Sequence, residues 1–235
     1  GVAAHAAGAP HLGVNALNAA SLGLSALAYQ RETFRDDDHV RIHPIITKGG
    51  NLVNVVPDEV VIETLVRAAN KDAIADAAAK TDRAFKAGAI AVGASCEVTT
   101  MPGYLPALSE KADASVLTAA EIAAQTSEKD YQIVQEDTHA YSGGSTDVGD
   151  VQHLQPVLTF NTGGKVSGLH SVDFDIVDEE LAYVVTAKIF ALSAYRLLRD
   201  RAVKAKEIVA NYQPIFTKEE YIKYMDSFIK TETYS

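Results

Sequence analysis

The sequence predicts an α/β (α+β) protein in two parts. A ferredoxin-like β-α-β-β-α-β unit occupies residues 1–107, and a mixed α/β portion that ends in a helical tail occupies residues 108–235. Three observations carry this reading. Strand and helix periodicities alternate as far as residue 107. The turn-rich run Met101-Pro102-Gly103-Tyr104-Leu105-Pro106 then closes the alternation. Beyond it come two strands and two helices with polar loops at the strand ends, the pattern of one edge of a mixed sheet and too little for a domain alone.

The elements follow in order. Val2 to Ala6 is short and apolar. Leu17, Ala20, Leu24, Leu27 and Ala28 recur at helical spacing behind Gly13 and Asn15 as a start signal, and Asp36-Asp37-Asp38 ends that element. His39 to Thr47 reads as a strand and Gly49 to Asp58 as a connection. Glu59 to Ala69 reads as a second strand with Val60, Ile62, Thr64 and Val66 on one face. Asn70 or Asp72 can cap a helix through Ile74, Ala77, Ala78, Thr81 and Phe85 that stops near Gly88, and Ala94 to Met101 supplies the last strand of the unit. Such a sheet leaves an edge open and is suited to pairing with a copy of itself.

In the second portion Val116 to Thr126 reads as helix, Tyr131 to Val134 as a short strand and Pro156 to Phe160 as a buried one. Asp178 opens a long helix through Leu181, Val185, Leu192 and Leu198. Thr217-Lys218-Glu219-Glu220 fits a capping box ahead of Tyr221, Ile222, Met225, Phe228 and Ile229, which makes the tail a docked helix.

Composition narrows the function classes. A hydrophobic content of 47% without Trp fits an Ala-rich protein of ordinary solubility. No continuous apolar run spans a bilayer, and the N-terminus has neither a basic region nor a hydrophobic one behind it, so a soluble, cytoplasmic protein is expected, with no membrane partner. The single Cys96 excludes an internal disulfide and suits a buried structural thiol. With 21 basic against 31 acidic residues the net charge is −10, which lacks the footprint that phosphate-backbone binding needs, so no nucleic-acid partner is expected.

The residues that carry chemistry stand in a few segments. Lys48-Gly49-Gly50 through Asn54 to Arg67 offers bare backbone, an amide and a guanidinium in one stretch, which suits recognition of a carboxylate. The same stretch also suits a hairpin turn with a surface arginine at a strand end. His5, among Ala3, Ala4, Ala6 and Ala7, would be desolvated by its neighbours and act as a neutral donor to an oxyanion, or simply pack among small residues. His170 stands in the glycine-flanked loop Ser167-Gly168-Leu169-His170-Ser171, where an α/β sheet presents a metal ligand or a catalytic imidazole. Asp147 and Asp150 could ligate or could fold their own loop, and their spacing favours folding. His11, His39, His43, His139 and His153 read as structural or solvated.

Together these segments resemble the M20 family of metallopeptidases and amidohydrolases, in its aminobenzoyl-glutamate hydrolase-like and M20-domain dipeptidase branch. The matching pieces keep one order: Gly1-Val2-Ala3-Ala4-His5-Ala6 with Gly13-Val14-Asn15-Ala16-Leu17; Gly49-Gly50 with Asn54-Val55-Val56-Pro57-Asp58; Val66-Arg67-Ala68; Gly144-Ser145-Thr146-Asp147-Val148-Gly149-Asp150; and Gly168-Leu169-His170-Ser171. The resemblance implies a ferredoxin-like lid that mediates homodimerisation, followed by the C-terminal part of a zinc-peptidase-like catalytic domain with two metal ions, usually zinc. It makes His170 a metal ligand and His5 the lid histidine that stabilises the oxyanion in the partner's active site. Asn54 and Arg67 then grip the substrate carboxylate with Gly49 and Gly50 adjoining, and Asp147 lies on the substrate side. Family members carry further ligands and the general base in a catalytic segment ahead of the lid. This sequence starts inside the first lid strand, so it is expected to be inactive by itself, and the implied reaction is that of its parent: hydrolysis of an amide or peptide bond to an amino acid with a free carboxylate. The competing expectation is a non-catalytic ligand-binding or dimerisation protein that has lost the metal centre.

Overall fold

The computed structural model describes residues 1–108, 118, 120, 121, 131–134 and 143–235. They form two compact units, Gly1–Pro106 with Ile222–Ser235, and Ala107–Tyr221. The first boundary falls at the turn-rich run, and the last residues return to the first unit.

A pair of helices organises the first unit. α1 (Ala16–Tyr29) starts at Asn15, whose side chain accepts the Leu17 and Asn18 N–H groups at 2.9 and 3.1 Å. α2 (Lys71–Val92) starts at Asn70, which accepts from the Ala73 N–H at 2.8 Å, and ends at Gly93 with φ +74°. The sequence expectation of a stop near Gly88 is corrected, because this glycine is a contact point inside the helix. A Cβ there would lie 2.4 Å from the Ala19 carbonyl oxygen and 2.5 Å from the Gly23 nitrogen, while one on Gly23 would lie 2.7 Å from Phe85. Small buried residues on both sides, Ala19, Ala20 and Gly23 against Ala77, Thr81, Ala84 and Gly88, let the two backbones approach. Thr81 turns its hydroxyl back to the Ala77 carbonyl at 2.8 Å and so costs the seam no unpaired polar group. A second small core joins Ala19, Ala89 and Ala94, with Val14, Val92 and Cys96 packed on it.

The seam sets the first expected outcome. Gly88→Ala gains about 1 kcal/mol of helix propensity. Overpacking costs about 1–3 kcal/mol, and here the obstructing atoms are backbone and cannot rotate away. The result expected in urea denaturation of the chain is a net loss of up to about 2 kcal/mol. A gain in stability would show that the helices are not held at this distance.

The strands are shorter than predicted. β1 (Arg41–Ile42) pairs antiparallel with β4 (Val66–Arg67), and β2 (Ile45–Lys48) with β3 (Val61–Glu63). The expected strand His39–Thr47 breaks at His43-Pro44, where proline has no N–H to donate to a ladder. Its partner Glu59–Ala69 breaks at Thr64-Leu65. The alternation nevertheless stands: Val60, Ile62, Thr64 and Val66 are half-buried, and Val61, Glu63, Leu65 and Arg67 are exposed. The first segment makes isolated bridges, Val2 to Val14 and His5 to Val55, and no continuous ladder. The strand and helix regions after that segment follow the predicted order, but the first strand is reduced to bridges and the antiparallel sheet is divided into two-stranded pieces. β5 (Cys96–Thr100) completes the order.

In the second unit α3 (Val148–Gln152) is short, β6 (Lys165–Val166) pairs with β7 (Asp175–Ile176), and a π-type turn Glu180–Val185 leads into α4 (Thr186–Asn211). Asp178 opens this helical run as predicted, accepting the Leu181 N–H on its side chain at 3.1 Å. Val185 and Ile189 form its core with Tyr131, Phe160, Leu181 and Leu192. The expected strands Tyr131–Val134 and Pro156–Phe160 are not formed; residues 156–160 are half-buried, but no described strand lies alongside to bond them. Of the expected helix Val116–Thr126, Thr118, Ala120 and Glu121 are helical and the other positions lie outside the described residues, as do His139, Tyr141 and Ser142. One described helical segment, Glu180–Asn211, is long and apolar enough to cross a membrane by length and composition, with a mean hydropathy of 1.4 over an 18-residue stretch of it. The helical path breaks inside that segment: Asp200, Arg201 and Ala202 have φ of 54°, 60° and 60°.

The capping box forms as predicted, with the Thr217 N–H donating to Glu220 Oε2 at 2.8 Å and the Glu220 N–H to Thr217 Oγ1 at 3.2 Å. The Thr217 N–H and the Thr217 hydroxyl, both donating to Oε2, hold the Glu220 carboxyl below its usual range. α5 (Lys218–Asp226) stops before Phe228, and the tail ends in a strand, β8 (Lys230–Tyr234), which pairs with β5 from Cys96–Tyr234 to Thr100–Lys230. The expectation of a purely helical tail is corrected here. Lys-Thr-Glu-Thr-Tyr is an alternating, β-favouring run that suits the free edge of β5.

Candidate functional site

His5 follows the extended start of the chain and enters a tight turn, in which the Ala9 N–H donates to its carbonyl at 3.1 Å. Its Nδ1 accepts two backbone donors, the Gly8 N–H at 2.9 Å and the Ala7 N–H at 3.2 Å. A ring nitrogen that accepts cannot carry the proton, so the proton sits on Nε2 and that atom is the donor. The ring is exposed, which corrects the expectation that neighbouring alanines would desolvate it. The turn, and not burial, sets its hydrogen-bonding polarity.

The same backbone places His5 beside Asn54. The Ala6 N–H donates to the Asn54 carbonyl at 3.0 Å and the Val56 N–H to the Ala4 carbonyl at 2.9 Å, on either side of the His5–Val55 bridge. Val56 is buried and anchors this crossing, while Asn54 is exposed and free to meet a ligand. Gly50 has φ +119°, where an L side chain is strained, and a Cβ would approach Pro57 Cγ to 3.1 Å. An ion pair between Lys48 and Glu59 spans the connection that carries Gly49, Gly50 and Asn54.

Arg67 lies on β4, exposed, directly opposite Arg41 on β1. No ion pair among the described residues engages either guanidinium, and no pairing or hydrogen bond among them links Arg67 to His5 or Asn54. Two like charges opposed across an antiparallel pair are unfavourable unless something negative lies between or beside them. Arg41 was not singled out from the sequence. Its signal is the register, since pairing Arg67 with Arg41 requires knowing where the two strands cross.

The remaining predicted residues belong to the second unit. Asp147 is exposed just ahead of α3, and its carbonyl accepts the Asp150 and Val151 N–H groups, so its backbone helps fold the loop. Asp150 engages Tyr221, whose phenol is pushed up by burial first and then by that carboxylate. His153 is buried, with Nδ1 2.8 Å from the Gly149 carbonyl and its ring stacked on Phe216, the structural role expected of it. His170 is exposed at φ 65°, in a loop tied by Asp173, which accepts the hydroxyls of Ser171 and Ser167. Those two bonds hold the Asp173 carboxyl below the usual carboxylate range. Among the described residues no three His, Cys, Asp or Glu side chains cluster closely enough to hold a metal ion. The described donors therefore do not complete a zinc centre, and His170 stands as a single potential ligand.

Residues 1–91 match the model of the M20 peptidase dimerisation domain. No curated protein matches the chain.

Proposed function

We propose, with the match to the peptidase dimerisation domain as the premise, that this chain supplies the lid and part of the catalytic portion of a hydrolase. It would cleave the amide of a small peptide or N-acyl amino acid whose amino-acid end keeps a free carboxylate. The observation that carries the proposal is His5: two backbone donors occupy Nδ1, leaving Nε2–H as a fixed-polarity donor next to Asn54. A donor of this kind, held in advance, is what a developing oxyanion requires. Asn54 would donate its side-chain amide and Arg67 its fork to the carboxylate, with the backbone at Gly49 and Gly50 leaving room for close approach. His170 and Asp147 would contribute from the second unit, His170 as one metal ligand. The centre that activates water is not built from the described residues, so the steps assigned to this chain are binding, orientation and oxyanion stabilisation.

A homodimer follows from the same premise. Every described sheet has two strands, so β1 and β2, like the other strands, each keep an edge with no strand against it. The open edge of β1 and β2 is the side proposed to meet a second copy.

The test compares an N-acyl amino acid with its methyl ester as substrates of the native protein. Release of the amino acid from the free acid, with at least about tenfold loss of kcat/KM for the ester, is expected if a guanidinium grips the carboxylate. Tight binding of the acid without turnover would replace this reading with that of a ligand-binding protein.

A further inference from the structure

Between the C-terminal half of α1 and β1 lies a cavity of about 520 Å³, within the size range of small-ligand sites. Its floor is apolar: Leu27 is buried, and Phe34 and Ile42 are half-buried. Its charge is opposite to that of the chain. Arg31, Arg35 and Arg41 line it together with His43, against a single carboxylate among the lining residues, Asp36, in a protein of net charge −10. None of the three arginines has an ion-pair partner among the described residues, and Arg41 spends one N–H on the Val40 carbonyl at 2.9 Å. Lys80 lies over the Phe34 ring at 4.9 Å but is paired with Asp76 and the Thr33 carbonyl, so its charge is already met.

We propose that this cavity binds a small organic anion, with an acidic head held by Arg31, Arg35 and Arg41 and an apolar body lying on Leu27, Phe34 and Ile42. Guanidinium forks suit a carboxylate or a phosphate, because both offer paired oxygens in matching geometry. Removal of the body from water adds affinity that a bare inorganic anion cannot gain. The site does not depend on the hydrolase reading, since binding is measured without turnover.

Octanoate, octyl phosphate and inorganic phosphate, titrated calorimetrically into the full chain, test it. Both octyl acids are expected to saturate one site per chain, and inorganic phosphate to bind at least about tenfold more weakly. Preference for one octyl acid by more than about tenfold identifies the head as carboxylate or phosphate. Arg31→Gln, Arg35→Gln and Arg41→Gln should each weaken the preferred acid roughly three- to tenfold, while Lys230→Gln, outside the cavity, leaves it unchanged. In the unaltered protein the methyl resonances of Leu27 and Ile42 should shift on addition of octanoate, a readout independent of any variant's folding. Absence of saturable binding by both octyl acids, or silent Leu27 and Ile42 methyls, overturns the proposal. So does undiminished binding in a folded Arg31→Gln, Arg35→Gln, Arg41→Gln triple variant.

Discussion

His5→Ala is expected to lower kcat of the native protein by roughly a hundred- to a thousand-fold while KM changes little, the loss that follows removal of one oxyanion donor. The split between the two constants matters more than the size of either. A donor aimed at charge that appears only in the transition state contributes nothing to the ground-state complex, so its removal leaves KM alone. His5→Gln keeps a donor but loses the tautomer fixed by the Ala7 and Gly8 N–H groups, and should fall between the wild type and the alanine variant. Steady-state kinetics of the two variants decide the role; equal rises in KM with unchanged kcat would make His5 a ground-state contact.

Arg67→Ala is expected to act on KM, raising it roughly tenfold or more, because a charged hydrogen-bond pair to the carboxylate is lost in ground and transition states alike. Arg67→Lys should raise KM less, since the charge remains and only the fork is lost. The exposure of Arg67 places its effect near the lower end, as solvent screens the pair before a lid closes. The methyl-ester substrate supplies the control. Once the carboxylate is blocked, wild type and Arg67→Ala should show the same KM, and a persisting difference would mean that Arg67 touches some other part of the substrate.

The local elements were legible where one residue decides them. Asn15 and Asn70 cap their helices, Thr217 and Glu220 form the reciprocal box, and the period of two from Val60 to Val66 sets the buried face. What failed depends on partners that are distant in sequence. Gly88 reads as a helix end because glycine is a poor helix former, yet its lack of a Cβ serves the approach of α1. The run 156–160 has the apolar character of a buried strand, but a strand is defined by a ladder, and no neighbouring strand is described there. β8 was missed because it completes an edge more than a hundred residues upstream. Of the candidate site, the residue types at His5, Asn54, Gly50 and Arg67 could be read directly. The tautomer of His5 could not, since it rests on the turn that brings two N–H groups to Nδ1, nor could Arg41, which enters through strand register.

The lid is proposed to deliver the His5 donor to the hydrolytic centre of a second copy of the native protein. Mixing tests this most directly. Protomers carrying His5→Ala are combined with protomers inactivated by His170→Ala, each inactive alone, under conditions in which subunit exchange is verified by mass. Mixed dimers should regain part of the activity, because one of their two centres combines an intact His170 with a His5 from the neighbouring lid. No recovery in dimers shown to have exchanged would contradict the claim and leave His5 acting within its own subunit, or not at all.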